Sequence, residues 1–274
     1  MGTNQVTLNP SLIARVLFSL TIFLAVASLG LKLLANFTGH PTMFGIVRLF
    51  DMGEEKNFPT VFTTLLHFNA ALLLGVVAVL KRRESAVYAT HWAVLSLGFV
   101  YLSVDESAQL HEMLVHPMRL LIGTRNLGIF YYGWTIPASI AVTFFAIYFW
   151  KFLLHLPKKT RWFFVFAGML FVGGAVGFES VEGYIHELRG PDNLAYLLFE
   201  TAEESMEMAG VITLIWALLV YLNEHYQNVI LQFGKVDSLP KTNWDRIMHN
   251  PESELDPNSD IDGTNWREVA HSED

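Results

Sequence analysis

Cysteine is absent from all 274 residues. That removes disulfides, thiolate metal sites and cysteine nucleophiles at once, and it leaves oxygen and imidazole as the available metal donors. Charge is scarce too. Asp, Glu, Lys and Arg make up 16% of the chain against 52% hydrophobic residues, where a soluble domain carries about 25% charged residues. No basic block of the nucleic-acid-binding kind occurs, so nucleic acid is not an expected partner. Ten of the 26 acidic residues lie after Phe233, against four basic ones, so this tail carries −6 of the formal −8. The rest of the chain is nearly neutral, and its acids are gathered in a few places.

The composition is instead dominated by long apolar blocks. A hydrocarbon core of about 30 Å takes roughly 20 helical residues at a rise of about 1.5 Å each. Six blocks meet this length, at about 12–36, 60–80, 87–112, 129–154, 162–186 and 194–222. Ala25-Val26-Ala27 imitates a signal-peptidase site, but the apolar run continues through Leu34, which favours an uncleaved helix. The expected fold is an all-α membrane protein: a six-transmembrane-helix bundle over 1–233, then a disordered acidic C-terminal tail over 234–274. In that tail Asn258, Asp260, Asp262 and Gly263 imitate the start of a calcium loop. Val269 stands where the bidentate Glu belongs, so the match reads as chance. Lys81-Arg82-Arg83 and Lys158-Lys159-Arg161 flank alternate loops. The positive-inside rule places both in the cytoplasm, and six spans then put both termini there.

The acids of the membrane part cluster at span ends. Glu200, Glu203, Glu204 and Glu207 fall on one helical face at about 100° per residue, just before the apolar run Val211 to Leu222. Carboxylates entering a bilayer are costly and need partners or a function. Asp105, Glu106, His111 and Glu112 close the third block, and Glu179, Glu182 and His186 close the fifth. The topology sets all three groups at the same outer level, with His67 and the loop holding Glu54 and Glu55. Glu179, Glu182 and His186 form one stripe. Asp105, Gln109 and Glu112 form another, with His111 beside it.

Carboxylates with a few imidazoles suit Fe, Mn or Zn, and bringing them together without cations raises every carboxyl pKa. The expected cofactor is therefore a divalent metal. Its candidate ligands are Asp105, Glu106, His111, Glu112, Glu179, Glu182, His186, Glu200, Glu204 and Glu207. Glu203 or Glu204 would act as the general base toward a lipid-like substrate entering from the bilayer. Ferritin-type Glu-x-x-His pairs are missing, so the coordination chemistry carries over and that fold does not. Other readings stay open: interfacial acids paired to Arg119, Arg125 and Arg189, a proton- or cation-coupled transporter or channel, or a structural or assembly subunit. Glu187 reads as solvated loop, His91 as a headgroup or packing residue, Met206 and Met208 as packing, and Tyr131, Tyr132 and Trp134 as the interfacial aromatic belt.

Asn57-Phe58-Pro59-Thr60, Asp105-Glu106 with His111-Glu112, and Glu203-Glu204 with Glu207-Met208 and Gly210 together resemble a set of uncharacterised bacterial multi-pass membrane proteins. The resemblance spans roughly Asn57 to Gly210. It implies a bacterial inner-membrane location, attaches no activity, and marks these acids and His111 as the residues to test first.

Overall fold

The computed structural model describes residues 9–40, 42–123, 127–191 and 193–226. The tail expected to be disordered, 234–274, lies outside them. The described residues are helical throughout, with no strand among them. Five helices are long and apolar enough to cross a membrane. They are α1 (Pro10–Thr38), α3 (Phe58–Arg83), α6 (Thr135–His155), the continuous helix Lys158–Arg189, and α9 (Leu194–His225). The continuous helix comprises α7 (Lys158–Val172), a π-helical stretch over Gly173–Phe178, and α8 (Glu179–Arg189). α4 (Ala89–Ala108) is 20 residues long but carries Asp105 and Glu106 in its last turn. Two short helices, α2 (Ile46–Phe50) and α5 (Val115–Ile122), lie in the connections.

Asparagine starts three of the long helices, because its side-chain oxygen satisfies amides that the first turn leaves unpaired. Asn9 accepts from Ser11 and Leu12 at 3.0 and 3.1 Å, Asn57 from Thr60 at 3.1 Å, and Asn193 from Tyr196 at 3.0 Å. Asn57 does more. Its amide nitrogen donates to the carbonyls of Arg48, Asp51 and Glu54 at 3.1, 2.6 and 2.6 Å. One buried side chain thus caps α3 and ties down the preceding loop. Ser28 of α1 holds the same loop by accepting from the Met52 amide at 3.0 Å.

α9 lies at the centre and packs on α1, α3, α7, α8 and the π stretch. Its approach to α7 depends on glycine. A Cβ on Gly210 would stand 2.7 Å from the Phe171 nitrogen and 2.8 Å from the Ala167 oxygen. One on Gly174 would stand 2.9 Å from both the Glu203 oxygen and Glu207 Cγ. Small residues let membrane helices approach closely enough for dispersion to hold them. The inner half of the bundle is filled by Leu74, Val77, Ile212, Leu218 and a group of rings. Phe152 is 1% exposed, with its ring centroid 5.1 Å from Trp92, which in turn lies 5.7 Å from Phe164 and 5.4 Å from Tyr221.

The third, fourth and fifth spans differ in their boundaries from the sequence expectation. α4 stops at Ala108 instead of running to Glu112. Gln109 takes a left-handed conformation (φ 57°) and its amide closes onto the Asp105 carbonyl at 2.7 Å, so the expected Asp105–Gln109–Glu112 stripe does not exist. The fourth span begins at Thr135; Gly128–Phe130 before it is a 3-10 turn. The fifth helix is longer than expected at both ends and contains the π stretch, which changes its angular phase just before Glu179.

Candidate functional site

A single cavity of about 890 Å³ occupies the end of the bundle opposite the ring cluster. It is walled by the start of α3, the end of α4, the turn before α6, the π stretch, α8 and the start of α9. Ten carboxylates face it: Glu55, Asp105, Glu106, Glu112, Glu179, Glu182, Glu200, Glu203, Glu204 and Glu207. So do the imidazoles of His67, His111 and His186, and only one guanidinium, Arg119. Every residue expected from sequence to bind metal or to act as a base is therefore on this wall. Arg119 does not offset the acids. It donates to the Tyr131 carbonyl at 3.0 and 3.2 Å and lies 4.5 Å from the centroid of that ring.

The turn at Gln109 reshapes the sequence motif Asp105–Glu112. Asp105 Oδ1 accepts from the His111 amide at 2.9 Å, and Oδ2 contacts His111 Nδ1 at 3.0 Å. This pairing leaves His111 Nε2 as the free ring nitrogen, and a carboxylate behind an imidazole is the arrangement that orients metal-binding histidines. Burial pushes the His111 pKa down, but the hydrogen bond and charge of Asp105, helped by Glu179 and Glu55, outweigh it and leave it raised. Glu55, His111 and Glu112 each bring a donor atom within 4.8 Å of the other two. Glu55 Oε2 is buried without a hydrogen-bond partner. Burial, then the charge of Glu112, raises the Glu55 carboxyl to about 7.

The adjoining wall, where Trp134 meets His111 at a ring-centroid distance of 4.8 Å, is held by aromatic donors. Trp134 Nε1 donates to Glu179 at 2.6 Å, and the Tyr132 hydroxyl donates to Glu182 at 2.9 Å and lies 3.2 Å from the Tyr196 hydroxyl. Burial and the charge of Glu182 push the Tyr132 phenol up, so it stays protonated and donates. Tyr131, Tyr132 and Trp134 are thus cavity residues, which corrects the reading of them as interfacial belt. Tyr131 stacks on His186 at 4.7 Å, and His186 Nδ1 is left without a partner. Glu187 is also corrected. It lies on α8 and accepts from the amides of Leu127 and Gly128 at 3.0 and 2.7 Å, so it closes the connection instead of sitting in solvated loop.

Two residues gained weight from the structure. Lys32 of α1 sits 2.5 Å from both Asp51 and Glu200, which gives Glu200 a counter-ion that Glu203, Glu204 and Glu207 lack among the described residues. The sequence signal was a lone lysine inside Gly30 to Leu34; its partner, 168 positions away, was not readable. His67 is 2% exposed, faces the cavity, and has both ring nitrogens unpartnered, with Phe99 and Phe171 at 6.0 and 5.6 Å.

The class is a helical protein with membrane-length apolar helices around an acid-lined chamber. A family model described as a domain of unknown function (DUF8692) matches residues 17–222, most of the chain, and the chain belongs to that family. No curated protein and no solved structure matches it.

Proposed function

We propose that this is a bacterial inner-membrane protein with six spans, α4 being the third, whose outer chamber binds divalent metal for chemistry on a lipid-like substrate. The basic clusters Lys81-Arg82-Arg83 and Lys158-Lys159-Arg161 orient it with both termini in the cytoplasm. The carrying observation is the convergence of ten carboxylates and three imidazoles on one cavity that holds a single, otherwise engaged guanidinium. Two like charges about 4 Å apart at an effective dielectric near 20 repel by about 4 kcal/mol. Such a wall therefore holds protons or cations. Glu55, His111 and Glu112 supply a two-carboxylate, one-imidazole set within 4.8 Å, the donor chemistry of Fe, Mn and Zn sites with open positions. Asp105 acts there by orienting His111. Glu106, Glu179, Glu182, His186, Glu204 and Glu207 extend the donor set inward, and Glu200 is the least available because of Lys32. A bound metal would supply Lewis acidity and a water of lowered pKa, with Glu203 or Glu204 as the proton acceptor.

A cation pathway uses the same acids. It is disfavoured by the inner half of the bundle, where Leu74, Ile212 and Leu218 have no exposure and Phe152 has 1%, so the chamber ends on an apolar plug. Elemental analysis of detergent-purified protein tests the proposal. Stoichiometric Fe, Mn or Zn is expected, lost in His111→Ala and in Glu204→Ala. Metal-free protein whose melting temperature chelators leave unchanged would overturn it.

A further inference from the structure

We propose that the chamber opens sideways into the bilayer between the outer halves of α4 and α6, and that the opening admits the amine-bearing head group of a membrane lipid. The proposal deepens the preceding reading and rests on it for the six spans and the acidic chamber. It does not depend on which metal is bound.

α4 and α6 meet in the inner half of the bundle through rings. His91 stacks on Tyr148 at 4.7 Å and on Phe152 at 5.6 Å, and Trp92 meets Phe152 at 5.1 Å. Among the described residues, the two helices have no extended backbone contact. Farther out, Tyr101 and Leu102 of α4 and Ala138, Ala141 and Val142 of α6 all line the chamber. Tyr101 is also 55% exposed, and Ala141 is exposed. A residue that forms chamber wall and outer surface together sits on the edge of an opening. Tyr101 lies seven positions before the end of α4, roughly 10 Å along the axis at about 1.5 Å per residue. That depth is hydrocarbon in a spanning helix, so the molecules that reach this edge are bilayer components.

The chamber selects the head group. Its carboxylates outnumber its one guanidinium tenfold and repel a phosphate that brings no positive charge of its own. An ammonium is drawn to the carboxylates and to the rings of Tyr131, Tyr132, Trp134 and Tyr196. A further observation points to a ligand independently of the acids. His67 is 2% exposed, faces the chamber, and offers two ring nitrogens that nothing among the described residues satisfies. A buried polar group without a partner costs about 1–3 kcal/mol, and a hydrogen-bonding head group at this wall removes that cost.

The test uses full-length protein in nanodiscs with photoactivatable phospholipids, diazirine in the acyl chain, bearing either a phosphoethanolamine or a phosphoglycerol head. Crosslinks are mapped by mass spectrometry and metal is measured on the same samples. The amine-headed lipid should label Tyr101, Ala141 and Val142 at least several-fold more than the anionic one. Ala141→Trp should remove those crosslinks while labelling of α1 and metal content stay unchanged. Tyr101→Ala, which widens the opening, should increase labelling, a gain that misfolding does not mimic. Equal labelling by both heads, no labelling at these residues, or labelling indifferent to both substitutions would overturn the proposal. Metal-free protein that still takes the lipid would sink only the metal reading. Metal-loaded protein without these crosslinks would sink only the lipid opening.

Discussion

At the end of the bundle that holds the ring cluster, two ion pairs lie outside the packed rings. Lys159 meets Glu224 at 2.6 Å, Lys81 meets Glu84 at 2.8 Å, and Tyr226 donates to Glu84 at 2.7 Å. Between those pairs and mid-membrane the space is filled by Trp92, Phe152, Phe164 and Tyr221. At the outer end the same helices separate around a chamber, and its acids far exceed the basic groups near them. Lys32 between Asp51 and Glu200 is the ammonium pairing found there among the described residues. The contrast separates two uses of polar residues. Exposed pairs such as Lys159–Glu224 contribute up to about 1 kcal/mol each. Glu203, Glu204 and Glu207, half-buried at the chamber and without an ion pair among the described residues, are costly in a membrane-length helix.

Substitutions at each end should break or sharpen this contrast. The largest effect belongs to the inner plug. Phe152→Ala should cost about 3–5 kcal/mol through its cavity, read as a lowered melting temperature with the metal-to-protein ratio of the folded fraction unchanged. Lys32→Met should follow at about 3 kcal/mol, because it strands Asp51 and Glu200 without their counter-ion. Restoring stability with Lys32→Met/Glu200→Gln would show that the cost is charge and not packing.

Gly210→Ala should cost about 1–3 kcal/mol by forcing α9 away from the α7 backbone. Gly168→Ala, where a Cβ meets nothing within 4 Å, is the matched control. Equal melting temperatures for the two would refute close glycine packing as the support of the chamber wall.

At the outer end, Asp105→Asn should leave the melting temperature nearly unchanged and lower metal affinity by about 10–100-fold, as expected for the group behind a ligating imidazole. The smallest effect is the pH step. With its carboxyl raised to about 7, Glu55 is protonated below that pH and ionised above it, and a metal displaces the proton. Cobalt uptake should therefore weaken as pH falls through about 7. Glu55→Gln should flatten that step, and a pH profile identical to the parent protein would exclude Glu55 as a ligand.

The gathering of acids at one end was readable because hydropathy and loop charge are one-dimensional. A six-span reading puts three polar span ends on one side, whatever the packing. The Glu200–Glu207 face was readable for a similar reason, since one uninterrupted helix carries it. The Asp105–Glu112 motif was misread as helical because the reversal at Gln109 needs a non-glycine residue at positive φ, which composition does not announce. The aromatic donors to Glu179 and Glu182 were assigned to the membrane interface because tyrosine and tryptophan near a span end look the same in both roles.

From its sequence alone, this protein is a chain of membrane-length helices with its acids at one level, because burying apolar surface and excluding charge from hydrocarbon depend on residue type and order. Tertiary structure decided which acids meet a counter-ion and which have none among the described residues. Lys32 reaches Glu200 across 168 positions, Asp105 folds back onto His111, and Gly174 of the π stretch and Gly210 of α9 bring Glu203 and Glu207 against the helix that carries Glu179 and Glu182. Those outcomes depend on distances of a few ångströms between remote segments, set by packing.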